Sequence, residues 1–245
     1  MKTLILAGGY GTRLYPTTLN IPKALLDIGK RKLIDFILAK CFECGIKDIS
    51  VITNDRFYSM LVEWRNSSKE YSSIEIINDK TSSPENRLGA VGDLELFLDH
   101  VSKDEDILVI GSDNIFDWRL DEFIKFSLEK KSPVVGLYDL ENIQDAGRFG
   151  VVEIDGKNKV TNLEEKPGVP KTSLIATCIY YFPAKSFGLI KKYLAEKNDR
   201  DTSGMYIKWL SGKTDVYGYI FRGLWLDIGH KNSLEKAVMI FGKDL

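Results

Sequence analysis

The sequence predicts an α/β fold: a mostly parallel sheet flanked by helices, with a smaller β-rich lobe built onto its second half. Two observations carry this. In the first half, short apolar runs alternate with stretches of helical hydrophobic spacing, and strands separated by helices run parallel with both faces covered. In the second half, strand-like runs follow one another with fewer helices between them. At 245 residues, 44% hydrophobic and 28% charged, the chain buries enough surface to fold without disulfide or metal staples.

Residues 2–7 read as a buried strand that runs into Gly8-Gly9-Tyr10-Gly11. Leu33, Ile34, Ile37, Leu38 and Cys41 then fall at helical spacing, with Gly45 as a C-terminal cap. Residues 48–53 form the next strand, and Tyr58, Leu61, Val62 and Trp64 mark a helix. A third strand is expected at 74–77, and Val91, Leu94, Phe97, Leu98 and Val101 make another helical stripe. The apolar strand at 106–110 leads straight into Ser112-Asp113-Asn114. Further strands are expected at 133–138, 149–154 and 159–163, the last two joined as a hairpin through Asp155-Gly156-Lys157-Asn158. A strand at 177–182, a helix at 186–196 and a strand at 216–221 precede Trp225-Leu226-Asp227 and a closing helix from about Asn232. With no internal repeat, low-complexity tract or long linker, residues 1–245 read as one domain whose halves meet near residue 132.

Composition narrows the partners. A net charge of −1 gives no field for holding nucleic acid or an anionic membrane, so neither is expected as a partner. An anionic ligand must be gripped by local donors. The apolar run at the N-terminus is too short for a secretory signal or a membrane span, and a soluble cytoplasmic protein is expected. Cys41 and Cys44 form a C-x-x-C at the end of a helical pattern, not at the helix start that lowers a thiol pKa. The remaining zinc-ligand candidates, Cys178, His100 and His230, lie far along the chain, so a packing role is expected for the pair.

The glycines after the first strand let backbone approach a ligand, and their N–H groups can cradle phosphate oxygens. The spacing Gly9-x-Gly11-x-x-Leu14 lacks the third glycine of a dinucleotide fingerprint, and no G-x-x-x-x-G-K-[ST] is present. What stands here is Leu6-Ala7-Gly8-Gly9-Tyr10-Gly11-Thr12-Arg13-Leu14-Tyr15-Pro16, followed by Pro22-Lys23. Later come Leu88-Gly89, Ser112-Asp113-Asn114-Ile115-Phe116, Phe149-Gly150-Val151-Val152-Glu153, Glu164-Glu165-Lys166-Pro167 and Trp225-Leu226-Asp227-Ile228-Gly229. In content and order this series resembles the signature of the sugar-1-phosphate nucleotidyltransferases, closest to the glucose-1-phosphate thymidylyltransferase type, and the resemblance covers nearly the whole chain.

The resemblance implies the Rossmann-like nucleotide-diphospho-sugar transferase fold, with a nucleotide-binding first half and a sugar-binding second half. It implies condensation of a nucleoside triphosphate, dTTP in the type it most resembles, with a sugar 1-phosphate such as glucose 1-phosphate. Magnesium is the implied cofactor. Leu6, Ala7, Gly8, Gly9, Gly11, Thr12, Arg13, Leu88 and Gly89 would line the nucleotide site. Arg13 would stabilise departing pyrophosphate, and Lys23 would neutralise charge at the reacting phosphates. Asp113, at the carboxyl end of a buried strand where open α/β sheets place ligands, and Asp227 would hold magnesium, a hard ion that favours oxygen ligands. Glu165 and Lys166 would meet the sugar and its phosphate, with Lys166 counted among the catalytic set; Gly150 would allow close approach, and Asn114 would add a sugar or phosphate contact.

Three departures leave the substrates open. Phe149 stands where the family often has tyrosine. Asp201-Thr202-Ser203-Gly204-Met205-Tyr206-Ile207 replaces a G-E-L-E-I-T-D segment that helps bind the sugar, and the base-side loop at 82–87 is atypical. The alternatives are the same chemistry with UTP, CTP or GTP and another sugar- or alcohol-phosphate, or a nucleotide-sugar sensor without catalysis. The chain ends soon after the closing helix, without the left-handed β-helix of bifunctional relatives, so acyltransferase activity is not expected. Monomer and homo-oligomer both remain open.

Overall fold

The fold is that of a computed structural model, which describes residues 1–242. The chain runs through β1 (Lys2–Leu6), β2 (Asp27–Ile28), β3 (Arg31–Lys32), α1 (Leu33–Glu43), β4 (Ile49–Thr53), α2 (Asp55–Asn66), β5 (Glu75–Asn78), α3 (Ala90–Phe97) and β6 (Ile107–Gly111). It continues through β7 (Asn114–Phe116), α4 (Asp121–Lys130), β8 (Val134–Asp139), α5 (Ile143–Ala146), β9 (Gly150–Ile154), β10 (Val160–Glu165) and β11 (Leu174–Phe182). It closes with α6 (Phe187–Ala195), α7 (Ser203–Ser211), β12 (Tyr217–Phe221), β13 (Trp225–Asp227) and α8 (Lys231–Phe241). No helix among the described residues is long and apolar enough to cross a membrane.

These elements cluster into two compact units, each assembled from separated stretches of chain. The first holds Lys2–Leu88, Ile110–Arg119 and the chain from Gly223 onward; the second holds Met1, Gly89–Val109 and Leu120–Arg222.

In the first unit β1, β4 and β5 are parallel, with Leu4 opposite Ser50 and Val51 opposite Ile76. Parallel neighbours need crossovers, and α1 and α2 supply helices between them. α1 buries Leu33, Ile34, Ile37, Leu38 and Cys41, the helical stripe expected from spacing. Each such aliphatic side chain contributes about 1.5–3 kcal/mol by leaving water. Gly45 follows with φ +74°, the left-handed cap that lets the chain turn away. The two-stranded ladder of β7 and β13 sets Asn114 opposite Asp227. Beneath it an apolar cluster joins Leu14, Leu26, Leu33, Ile115, Ile228 and Ala237, so the segments next to Arg13, Lys23, Asp113 and Asp227 share one apolar base.

Cys41 is fully buried, and no disulfide engages Cys41 or Cys44. Burial, followed by the neighbouring Cys44, pushes the Cys41 thiol up to about 12. At pH 8 only about 10⁻⁴ of it is thiolate, the reactive form. Native protein at pH 8 is therefore expected to leave Cys41 unlabelled by iodoacetamide, with labelling appearing on denaturation; peptide mapping that found rapid native labelling would contradict this packing role.

In the second unit β9 and β10 form the expected antiparallel hairpin, with Val152 opposite Leu163 and Gly150 opposite Glu165. Its turn is held by Asp155, whose Oδ1 accepts from Lys157 N at 2.8 Å and Lys159 N at 2.9 Å, while Asn158 takes φ +63°. β11 pairs antiparallel with β8 and β9, and β8 pairs parallel with β12. The register of β11 shifts between Ala176 and Tyr180, and Cys178 there adopts φ +60°, a bulge in an otherwise regular strand.

Gly89 shows why one motif glycine is fixed by packing. It precedes α3 with φ +77°, and a Cβ there would lie 2.5 Å from Arg200 O and Asp201 Cα. The close approach admits the hydrogen bond from Val91 N to Arg200 O at 2.9 Å. Gly89→Ala is expected to cost about 2 kcal/mol or more through backbone strain and displaced neighbours. Chemical denaturation that showed an unchanged midpoint would refute it.

Candidate active site

The end of β1 is clamped by its neighbours. Ala7 N donates to Ile52 O at 2.9 Å and Ser112 N donates to Leu6 O at 3.0 Å. Beyond that point side chains from the end of β4 hold the loop by its carbonyls: Thr53 Oγ1 donates to Ala7 O at 3.3 Å, and Asn54 Nδ2 donates to Gly8 O at 3.0 Å. Asn54 also caps α2 by accepting from Phe57 N. The amides are left over: among the described residues, no acceptor meets the backbone N–H groups of Gly8, Gly9, Gly11 or Thr12. Gly9 is exposed, with nothing within 4 Å of where a Cβ would stand. Gly11 needs its freedom, with φ +63° and Thr18 directly alongside; Thr18 Oγ1 donates to Gly11 O at 2.7 Å. Arg13 follows, exposed, in a single 3₁₀ turn anchored by buried Leu14.

Lys23 is aimed by a second short turn. Pro22, with φ −65°, sets the entry, and Ala24, Leu25 and Leu26 are buried behind it. Lys23 Nζ donates to Asp113 Oδ2 at 3.0 Å. Asp113 sits in the tight link from β6 to β7, and its carbonyl accepts from Ile228 N at 2.8 Å. That bond and the β7–β13 ladder bring Asp227 beside Asp113, a meeting that no spacing in the sequence discloses.

The electrostatics follow from that meeting. Burial opposes ionisation of Asp113, but the charge and hydrogen bond of Lys23, with its own backbone and Arg13, together hold the carboxyl below its usual range. For Asp227 burial comes first and the Asp113 charge second; together they push it up to about 7, against Lys23 and Arg13. Burial also works against the Lys23 ammonium, but Asp113 and Asp227 reverse the balance and hold it above its ordinary value. Arg13 acts on all three. Gly229 makes room for the pair: a Cβ there would lie 2.6 Å from Asp227 Oδ2. Two cations and two carboxylates thus act on one another in the same unit whose β1 runs out into amides that no acceptor meets.

In the second unit Gly150, Glu165 and Lys166 are gathered by the β9–β10 pairing. Lys166 N donates to Phe149 O at 2.9 Å, its backbone takes φ +48°, and its ammonium lies 3.6 Å from Glu165 Oε1. Gly204, at the start of α7, and Gly150 both back onto the Glu165 carboxylate. Tyr180, buried, shares a 2.9 Å hydrogen bond with Ser203. Burial, then Cys178 and more distantly Glu165, raise the Tyr180 phenol well above its usual value, so it is a neutral hydroxyl.

The expected residues thus fall into two groups. Gly8, Gly9, Gly11, Thr12, Arg13, Lys23, Asp113 and Asp227 stand together in the first unit, with Leu6 and Ala7 beneath them. Gly150, Glu165 and Lys166 stand together in the second. Leu88 is half-buried in the first unit, and Gly89 is committed to its contact with Arg200 and Asp201. Asn114 is buried with its amide engaged: Nδ2 donates to Gly111 O at 3.1 Å, and Oδ1 accepts from Trp225 Nε1 at 2.6 Å. Asn54, Tyr180, Ser203, Gly204 and Gly229 were not singled out for roles by sequence reasoning. None of these leaves a signal in the sequence, since each owes its place to pairing or packing; Gly204 stands in a helix that its own presence hides.

Two comparisons bear on this arrangement. A family model described as nucleotidyl transferase matches residues 2–243. A 2.76 Å crystal structure of a Bacillus anthracis protein, described as a glucose-1-phosphate thymidylyltransferase and in complex with a sucrose, is similar over 100% of this chain and 96% of its own, with a TM-score of 0.86 and 29% identity. UDP-glucose pyrophosphorylase, complexed with UDP-glucose and in the apo form, superposes with a TM-score of 0.82, covering 99% of this chain and 98% of its own. Its identity is 18%, so that likeness is one of fold.

Proposed function

The chain belongs to the nucleotidyl transferase family, and from that premise we propose that it condenses a nucleoside triphosphate with a sugar 1-phosphate, releasing pyrophosphate. The observation that carries the reading is the cluster of Arg13, Lys23, Asp113 and Asp227 in the unit whose glycine loop leaves its amides without acceptors. An oxygen of the sugar phosphate attacks the α-phosphorus; a new P–O bond forms as the bond from the α-phosphorus to the bridging oxygen breaks, and pyrophosphate leaves. The nucleophile is ionised near neutral pH, so positioning and charge neutralisation are the protein's tasks rather than proton transfer.

In this reading the amides of Gly8, Gly9, Gly11 and Thr12 cradle the triphosphate, and Arg13 takes up charge on the departing pyrophosphate. Lys23, held by Asp113, offers its remaining N–H donors to the reacting phosphates. Glu165 accepts from an acceptor hydroxyl and Lys166 faces the acceptor phosphate.

Among the described residues no group of three or more His, Cys, Asp or Glu forms a metal cage. The Asp113–Asp227 pair suits an ion that takes one or two protein carboxylates and completes its shell with water and phosphate, which is how magnesium binds. Asp113 and Asp227 would hold it, and bound magnesium would neutralise charge on the triphosphate.

dTTP and glucose 1-phosphate are the proposed substrates, following the 29%-identical neighbour, and the cytoplasm the proposed setting. A matrix of dTTP, UTP, CTP and GTP against sugar 1-phosphates and alcohol phosphates, read by pyrophosphate release in magnesium, tests this. The highest kcat/KM is expected for dTTP with glucose 1-phosphate. Preference for another pair would move the substrates within the class, and release from no pair would overturn the reading.

A further inference from the structure

The acceptor side of the second unit contains a feature that the proposed reaction leaves unexplained. Gly204 lies in the first turn of α7, a nine-residue helix packed against β10. Its backbone is ordinary helix, not the left-handed region, so no conformational need selects glycine there. Helix propensity in fact favours alanine. What selects glycine is the Glu165 side chain. A Cβ on Gly204 would meet Glu165 Oε2 closer than real Cβ contacts come, with Glu165 Cδ at 3.5 Å and Leu163 Cδ2 at 3.6 Å. A Cβ on Gly150 would meet the same Oε2 at 3.0 Å.

The carboxylate therefore lies in a slot bordered by two side-chain-free positions. The Tyr180–Ser203 hydroxyl pair stands at the same end of α7. The obstructed atom is the tip of a flexible side chain, so a residue larger than glycine would swing the carboxylate away while the surrounding fold stays in place.

We propose that Gly204 is a positioning residue for the acceptor: it sets the Glu165 carboxylate in the slot from which it accepts a hydrogen bond from a hydroxyl of a polyhydroxylated acceptor. This rests on the acceptor-side reading of Glu165 given above. A purely structural glycine and a positioning glycine make opposite predictions. In the structural case Gly204→Ala disturbs stability and both substrates alike. In the positioning case the helix is as stable or more so, and the defect falls on one substrate.

The experiment compares wild type, Gly204→Ala, Glu165→Ala and the double variant by steady-state kinetics with glucose 1-phosphate and dTTP, and by melting temperature. Gly204→Ala is expected to raise KM for the sugar phosphate about 10-fold, to leave KM for dTTP within about twofold, and to leave Tm unchanged or higher. In the Glu165→Ala background the same change is expected to add less than about twofold, because the group it displaces is gone. An unchanged acceptor KM, a fall in Tm with both KM values raised, or full additivity in the double variant would overturn the proposal. Should wild type use no phosphorylated acceptor at all, that failure belongs to the proposed function. The Glu165 carboxyl ¹³C resonance then tests the positioning on its own: a shifted signal in Gly204→Ala supports it and an unmoved one overturns it.

Discussion

Replacing Asp113 with alanine is expected to lower kcat by about 10²-fold or more while leaving the fold nearly as stable as before. The loss of rate follows from the geometry: Asp113 is the residue that fixes Lys23 Nζ, at 3.0 Å, and it supplies one of the two carboxylates proposed to hold magnesium. The small stability change follows from the electrostatics. Asp227 is pushed up to about 7 by burial and then by the charge on Asp113. With Asp113 gone, Asp227 ionises more readily and takes over as counter-ion to Lys23, so no cation is stranded. Initial rates of pyrophosphate release, with Tm as the control, check this. Wild-type turnover in Asp113→Ala would remove it from the machinery, and a collapse of Tm would show that its role is architectural.

Lys23→Ala is expected to match that loss of rate, about 10²-fold in kcat, but with a different stability signature. The ammonium is the adjacent cation that keeps Asp113 ionised against burial. Deleting it leaves two neighbouring carboxylates with Arg13 as their remaining named counter-charge. The Lys23–Asp113 pair is only partly buried, with side-chain exposures of 19% and 32%, so the penalty is smaller than for a fully buried pair, about 1–2 kcal/mol. Magnesium is expected to raise the Tm of Lys23→Ala more than that of wild type, since a divalent cation replaces the missing charge. A Tm equal to wild type without magnesium, or no differential response to the ion, would contradict this description.

The sequence discloses the parts of this site that are local and conceals those made by pairing. β1 and the glycine loop were legible because a buried apolar run ending in Gly8-Gly9-Tyr10-Gly11 has few physical readings. α1 was legible from five apolar residues on one face. The C-x-x-C was correctly placed at a helix end, where Cys41 is buried. By contrast Lys23 and Asp113 are 90 residues apart, and Asp227 reaches them through the β7–β13 register and the Ile228–Asp113 backbone bond, tertiary facts with no counterpart in spacing.

The helix α4 leaves no periodic signal in the sequence because Phe123 and Ser127 alone are buried on it, too thin a stripe to show periodicity. α7 was hidden by its glycine and by its apolar residues being spread around the helix, though Tyr206, Ile207 and Leu210 are buried. Asn114 reads as a ligand contact in the motif, and its hydrogen bonds to Gly111 and Trp225 are a second part that the sequence does not disclose. Glycines were the hardest class to interpret. Gly11 and Gly89 need positive φ, while Gly229 and Gly204 exist to leave room for a carboxylate, and composition cannot separate the two causes.

The exit of β1 is the proposed anion and metal site. Crystals soaked with dTTP and magnesium chloride test it most directly. The expected result is triphosphate density against the amides of Gly9 and Gly11, with a metal peak between it and the carboxylates of Asp113 and Asp227. A nucleotide bound elsewhere on the protein, with this loop and both carboxylates untouched, would contradict it.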